Sequence, residues 1–121
     1  MENLANFISF EETDKDIIIS FAIYNDETSI SSLILHRTLF FEEMLPVEER
    51  GVHVTYENDR YEQEDFNMLK SIKISGKNVL IESTFRHYNV DISKIEKNEI
   101  NEMVEILNKQ NYDNKFELQI A

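Results

Sequence analysis

The sequence predicts an α+β fold: a mostly antiparallel sheet of roughly five to seven strands, with one long C-terminal amphipathic helix packed on one face and a final short strand. Short segments rich in β-branched and aromatic residues, separated by polar turns, fill most of the chain before residue 93. A single helical pattern follows them. A sheet with one apolar face needs a cover, and this helix is the cover that the sequence offers.

The predicted helix spans residues 93–110. Ser93 and Glu96 match the S-x-x-E capping box, and Asn98 is a later candidate for the N-cap. Four apolar residues recur at helical spacing, namely Ile100, Met103, Val104 and Leu107. This stripe predicts the face that packs on the sheet.

The predicted strands cover residues 6–11, 16–24, 29–37, 52–56, 68–75, 78–83 and 89–92, with a last alternating segment at 116–120. The first three read as an antiparallel meander because short polar turns separate them. The near-continuous apolar run at 16–24 predicts a central strand that is covered on both faces. Gly76 and Lys77 mark the turn of a hairpin.

Length and composition indicate one domain over residues 1–121. The chain has no cysteine, which fits a reducing cytoplasm and excludes a disulfide framework. Its first residues lack the basic and long apolar regions of a signal peptide. No apolar run approaches the ~20 residues that a membrane-spanning helix needs. We therefore expect a cytoplasmic protein.

Charge is the unusual feature of the composition. Asp and Glu number 24 and Lys and Arg 12, which gives a formal net charge of −12. Nucleic acid and anionic membranes are not expected as partners because both require clustered basic residues. The acidity either serves solubility or faces a basic protein partner.

Residues 38–50 are irregular, and Pro46 ends any helical turn begun before it. Two interpretations stay open for this segment. Its phenylalanines, Phe40 and Phe41, could cap one end of the core. Alternatively, the segment could form an exposed acidic and aromatic contact surface.

The sequence contains none of the common catalytic or metal-binding motifs. His36, His53 and His87 are far apart and lack metal-ligand spacing, and His53 on a strand favours a structural role. The two glycines, Gly51 and Gly76, form no phosphate-binding loop. We therefore expect no enzymatic activity, no metal and no cofactor.

Residues 32–120 resemble the small immunity proteins of bacterial polymorphic toxin systems, and in particular the immunity protein 10 family. The resemblance lies in the segments SLILHR, GVHVTYEND, LKSIKISGKNVLIES, EINEMVEILNK and FELQI, in that order. It implies a cytoplasmic, non-enzymatic inhibitor that binds a cognate protein toxin domain and occludes its active face. A structural or regulatory subunit of a larger assembly and a small-ligand-binding domain remain alternatives.

The densest acidic stretch, residues 57–65, is the predicted partner-binding element, because its tyrosines could anchor a contact among the charges. The candidate residues are Tyr56, Glu57, Asp59, Tyr61, Glu62, Glu64 and Asp65. Glu42, Glu43, Glu48 and Glu49 could extend this surface if the two loops share an edge of the sheet. Glu99, Glu102 and Glu105 on the helix are the second choice.

Overall fold

The structure, a computed structural model, describes residues 3–57 and 67–120. Within those ranges it contains one α-helix and eight strands in a single sheet. The strands are β1 (Asn3–Glu12), β2 (Asp16–Tyr24), β3 (Ile30–Thr38), β4 (His53–Tyr56), β5 (Leu69–Ser75), β6 (Asn78–Ser83), β7 (His87–Asp91) and β8 (Glu117–Ile120). The predicted α+β class and mostly antiparallel sheet are confirmed. The predicted number of strands is too low, because even the shortest segments, β4 and β8, find a neighbour to pair with.

The order of strands across the sheet is β4-β3-β2-β1-β7-β6-β5-β8. Strands β1 to β4 form an antiparallel meander, as predicted for its first three members. Strands β5, β6 and β7 form a second antiparallel group. Two parallel pairs complete the sheet: β1 joins β7, and β8 adds to β5.

The sheet also curls, so that the edge strand β4 meets the residues that lead into β5. His53 in β4 forms a bridge with Met68. The amide of Leu69 donates to the carbonyl of Val52, and the amide of Val54 donates to the carbonyl of Asn67, both at 2.8 Å. These bonds bring the inner faces of the two strand groups toward each other around one core.

The core is a single apolar cluster to which every strand group and the helix contribute. Its fully buried members, each at most 2% exposed, include Ile19, Phe21, Leu33, Leu35, Ile72, Val79, Val90, Met103 and Leu107. Strand β2 shows the pattern most clearly, since Ile17, Ile19, Phe21 and Ile23 alternate into this core. On the opposite face of β2, Ile18 and Ser20 are only half-buried. The expectation that β2 is covered on both faces is therefore wrong.

The helix, α1, spans Lys97–Gln110 and packs against β1 and β2. It is shorter than predicted, and the predicted caps at Ser93 and Asn98 are wrong, because Glu96 is the N-cap and makes no side-chain capping bond. The carboxylate of Asp91 accepts the amide of Ser93 at 2.8 Å and starts a turn there. That turn places Ile95 in the core, which is incompatible with an earlier helix start.

The buried face of α1 gives a prediction for stability. Leu107 is 0% exposed, whereas Asn101 on the same helix is exposed. We expect Leu107→Asp to destabilise the protein by more than about 4 kcal/mol, because it buries an unpaired charge. The matched variant Asn101→Asp should stay within about 0.5 kcal/mol of the wild type. Chemical denaturation measures both, and equal stability of the two variants would show that α1 is not the cover of the core.

Candidate functional site

The loop that connects β3 to β4, residues 39–52, is the candidate functional site, and we call it the β3–β4 loop. It contains two short 3-10 turns, Glu42–Met44 and Val47–Glu49, separated by Pro46. The amide of Met44 bonds to the carbonyl of Phe41 at 3.0 Å, and that of Glu49 bonds to Pro46 at 2.9 Å. These turns give the loop a defined backbone without adding a strand.

Four large apolar side chains of this loop face solvent. Phe40 is 63% exposed, Phe41 51%, Met44 81% and Val47 65%. We call these four residues the apolar patch. The interpretation in which the phenylalanines cap the core is therefore wrong. A concentration of exposed apolar side chains in one loop is typical of an interaction surface, whereas single exposed residues are ordinary.

The start of the loop is fixed to the turn between β1 and β2. The amide of Leu39 donates to the carbonyl of Lys15 at 2.7 Å. The Lys15 ammonium lies 5.8 Å from the ring centre of Phe40, and the rings of Phe40 and Phe41 meet edge to face at 4.7 Å. Phe40 and Phe41 are thus held as a pair although water surrounds much of both rings.

A buried arginine anchors the loop from below. Arg37, the penultimate residue of β3, is 0% exposed. Its guanidinium donates to both carboxylate oxygens of Glu42, at 2.9 and 2.7 Å, and to both of Asp113, at 2.8 and 2.9 Å. It also donates to the carbonyl of Gln110 at 2.8 Å and to the hydroxyl of Tyr112 at 3.0 Å. We call this set of residues the Arg37 cluster.

The Arg37 cluster joins three separate parts of the chain: β3, the β3–β4 loop and the end of α1. Tyr112 closes it, since its ring centre lies 4.2 Å from the guanidinium carbon and its hydroxyl donates to Glu42 at 3.3 Å. The side-chain amide of Gln110 donates to the carbonyls of Ile17 and Leu35, at 3.0 and 3.1 Å, and so links the end of α1 to β2 and β3. The cation also lies at the carbonyl end of α1, where positive charge is favourable.

The charges of the cluster stabilise one another. Burial raises the pKa of Glu42, but its bonds with Arg37 outweigh that effect, so the pKa lies below its ordinary value. Hydrogen bonding to Arg37 likewise lowers the pKa of Asp113. Burial opposes the charge of Arg37, yet its bonds with the two carboxylates raise its pKa. Glu42, Asp113 and Arg37 are therefore all ionised at neutral pH.

A second set of bonds holds the loop from within. Arg50 donates to the carbonyls of Leu45 and Glu43, at 3.0 and 3.1 Å. The amide of Gly51 donates to Glu42 at 3.1 Å, so Glu42 ties both ends of the loop to Arg37. Gly51 has a φ of +129°, a conformation that L side chains rarely adopt. Between Arg37 and Arg50, the loop is fixed along most of its length.

The structure corrects two of the predicted partner-binding residues. Glu42 is only 8% exposed and is bound to Arg37, so its carboxylate is not available to a partner. Tyr56 is 9% exposed and meets Tyr88 edge to face at 5.9 Å, so it belongs to the core. Tyr56 was predicted as an aromatic anchor beside the acidic stretch, and Glu42 as an extension of the same surface.

The remaining predicted residues have different positions. Glu43 and Glu48 are exposed on the β3–β4 loop, and Glu49 is half-buried. Glu57 is exposed at the end of β4 and accepts the amide of Ser32 at 2.6 Å. Asp59, Tyr61, Glu62, Glu64 and Asp65 lie outside the described residues. On the helix, Glu102 and Glu105 are exposed and Glu99 is half-buried.

Sequence reasoning missed Arg37, Asp113 and Tyr112. One signal was present, because Leu33, Leu35 and Arg37 alternate along β3 and therefore share the inward face. An inward arginine requires acidic partners, since an unpaired buried charge is costly. The sequence does not identify those partners, because Asp113 is 76 residues away along the chain.

Other kinds of site find little support in the described part of the chain. No group of three metal-ligating side chains is assembled there. One hollow of about 630 Å³ is a groove on the solvent side of β5 to β8, lined by residues such as Lys73, Glu82 and His87. It is not the pocket between sheet and helix that a small-ligand domain would need. His53 is half-buried, and its ring nitrogen donates to the carbonyl of Glu49 at 2.9 Å, which is a structural role.

The helix of the described ranges is too short and too polar to cross a membrane. Comparison with protein-family models, with curated proteins and with solved structures gives no match for this chain.

The Arg37 cluster generates a prediction that separates it from an ordinary surface ion pair. We expect Arg37→Met to destabilise the protein by about 3–5 kcal/mol, because it leaves Glu42 buried and unpaired. The matched variant Arg50→Met removes an arginine that bonds only to carbonyls, and we expect a loss of about 1 kcal/mol.

Denaturant unfolding measures these values. Adding Glu42→Gln and Asp113→Asn to Arg37→Met should recover most of the lost stability, since the uncompensated charges are then gone. Wild-type stability of Arg37→Met, or a triple variant less stable than the single one, would contradict the description of the cluster.

Proposed function

We propose that this chain is a non-enzymatic binding protein that neutralises a cognate bacterial toxin domain by occluding its active face. The resemblance to the immunity protein 10 family suggests the class of partner. The observation that carries the proposal is the apolar patch, four exposed side chains on a loop fixed by buried bonds.

A fixed loop is suited to binding because little conformational entropy is lost when a partner closes over it. The phenylalanine pair and Met44 supply the kind of apolar anchors that dominate binding energy at interfaces. Met44 is 81% exposed, and Glu43, the residue before it, is exposed as well. We therefore assign the patch as the centre of the contact and the loop carboxylates as part of its rim.

The negative net charge of the whole chain favours a basic partner. A net charge of −12 attracts a basic protein over a distance comparable to the Debye length and raises the association rate at low salt. Close to the patch the charges are mixed. The Lys15 ammonium lies 5.8 Å from the ring centre of Phe40, and Arg50 donates to the carbonyl of Glu43, whose side chain is exposed. The partner surface that fits is an apolar hollow with basic residues around it.

The acidic stretch 57–65 keeps a secondary place in this proposal. The β3–β4 loop enters β4 at His53, and the acidic stretch begins where β4 ends at Tyr56. The β3–β4 loop and Glu57 thus stand at opposite ends of one strand, about 10 Å apart at ~3.4 Å per residue. A partner that covers β4 contacts the loop and Glu57 together.

A co-expression experiment tests the proposed function. The protein encoded by the adjacent open reading frame should be toxic when it is expressed alone. It should be tolerated when this chain is co-expressed, and the two proteins should co-purify. Toxicity that this chain does not relieve would reject the proposal.

A matched pair of variants tests the contact surface. Phe41 in the patch is 51% exposed, and Phe85 in the turn after β6 is 52% exposed. We expect Phe41→Ser to weaken binding by about 10–100-fold, mainly through faster dissociation, because an apolar anchor is lost. Phe85→Ser should bind like the wild type. Surface plasmon resonance measures both, and a larger effect at Phe85 would place the contact at the turn after β6.

A further inference from the structure

We propose that Met44, in the apolar patch, is a site of reversible oxidation, and that the sulfoxide formed there switches off binding at the β3–β4 loop. The oxidant is a peroxide, and the modified atom is the thioether sulfur, Sδ. The loss of binding rests on the proposed function, because it requires the patch to be the contact surface. The site of oxidation depends on this chain alone.

The composition directs an oxidant to methionine. The cysteine thiolate and the methionine thioether are the side-chain groups that undergo reversible oxidation by peroxides. This chain has no cysteine and no tryptophan, but it has four methionines. No thiol therefore competes for the oxidant, and no disulfide is available as the redox switch. Reversible oxidation of this chain falls on a methionine.

Burial selects one methionine among those that the structure describes. Met44 is 81% exposed, whereas Met68 is 7% and Met103 is 0% exposed. Met103 belongs to the apolar core, so a peroxide reaches its sulfur only when the protein opens. The fourth methionine, Met1, lies outside the described residues. Met44 is therefore the described methionine that a peroxide meets directly in the folded protein.

Polar bonds hold the backbone on both sides of Met44. Arg50 donates to the carbonyl of Glu43, the residue before it, at 3.1 Å, and to the carbonyl of Leu45, the residue after it, at 3.0 Å. The amide of Met44 donates to the carbonyl of Phe41 at 3.0 Å. None of these bonds uses the Met44 side chain, so oxidation of its sulfur leaves them intact. The loop keeps its conformation, and the sulfoxide stays on the surface of the patch.

The reaction is a two-electron oxygen transfer. The thioether sulfur attacks one oxygen of the peroxide, the O–O bond breaks, and an S–O bond forms. Sulfur is oxidised and the peroxide is reduced. For hydrogen peroxide, the proton of the transferred oxygen passes to the departing hydroxide, which leaves as water. Methionine sulfoxide reductases reverse the step at the expense of a dithiol, which makes the modification suitable for a switch.

The product replaces an apolar anchor with a polar group. The sulfoxide oxygen is a hydrogen-bond acceptor, and its burial without a donor costs free energy. The other side chains of the patch, Phe40, Phe41 and Val47, have no donor to offer it. A partner that closes over the patch has to desolvate this oxygen. We therefore expect oxidation to raise the dissociation constant by about tenfold or more.

Two variants separate the oxidation of Met44 from other effects of peroxide. Met44→Leu keeps an apolar side chain of similar volume and removes the sulfur, so it should bind within about threefold of the wild type and be insensitive to peroxide. Met44→Gln places a polar side chain of similar length in the patch, so it should bind as weakly as the oxidised wild type without any oxidant. Met1 remains in both variants, which controls for oxidation there.

Treatment of the purified protein with hydrogen peroxide tests the site without a partner. Peptide mapping by mass spectrometry should find Met44 oxidised at least about tenfold faster than Met68 or Met103. The oxidised wild type should elute earlier from phenyl-agarose and keep its thermal unfolding curve, whereas the elution of Met44→Leu should not change on treatment. Oxidation of Met68 or Met103 at the rate of Met44, or unfolding on oxidation, would overturn the proposal.

Binding to the protein encoded by the adjacent open reading frame tests the switch, after the peroxide has been removed. Surface plasmon resonance should show at least about tenfold weaker binding for the oxidised wild type and for Met44→Gln. Reductases for the two sulfoxide epimers should restore the binding of the oxidised wild type, and peroxide should leave Met44→Leu unaffected.

Oxidised wild type that binds as tightly as untreated protein would overturn the switch while leaving the proposed function in place. Untreated protein that does not bind would overturn the proposed function and the switch with it. The peptide map decides the site of oxidation in either case.

Discussion

The buried guanidinium of Arg37 is the interaction on which the arrangement of this protein depends. A charged group at 0% exposure is tolerated only when its charge and all its donors are satisfied. Glu42 and Asp113 provide the compensating negative charge, and the carbonyl of Gln110, the last residue of α1, accepts a further hydrogen bond from Arg37. The β3–β4 loop, the terminus of α1 and the last residues of β3 must therefore occupy fixed relative positions.

This constraint explains how the loop can expose phenylalanines and still keep one conformation. An apolar loop usually folds down onto the core, because that removes its side chains from water. Here Glu42 is held beneath the loop by Arg37, and Arg50 occupies the carbonyls of Leu45 and Glu43. The apolar patch is directed outward by polar bonds, and that arrangement suits a surface made to meet another protein.

Most of the fold could be predicted from the sequence, because it follows from local periodicity. The bounds of β2 agree at both ends, since DIIISFAIY combines strong β-propensity with polar turns on either side. In β1, Ile8 and Phe10 face the core while Phe7 and Ser9 face away from it, as their alternation indicates. A bulge between Ala5 and Phe7, which the sequence does not reveal, lets Ala5 reach the core as well. The start of α1 was placed too early, because Ser93 bonds to Asp91 instead of capping the helix. The candidate site was predicted least well: Glu42 looks like any other acid of its loop until the inward position of Arg37 is known.

The measurement that tests the central claim most directly is native-state amide hydrogen exchange in the wild type and in Asp113→Asn. That variant weakens the Arg37 cluster from the helix side and leaves the loop sequence intact. If the cluster fixes the loop, exchange at the amides of Met44 and Gly51 should rise by about tenfold together with that of Asn111, while Ile81 in β6 stays unchanged. Loop amides that exchange at the same rate in both proteins would contradict the claim that the cluster positions the loop.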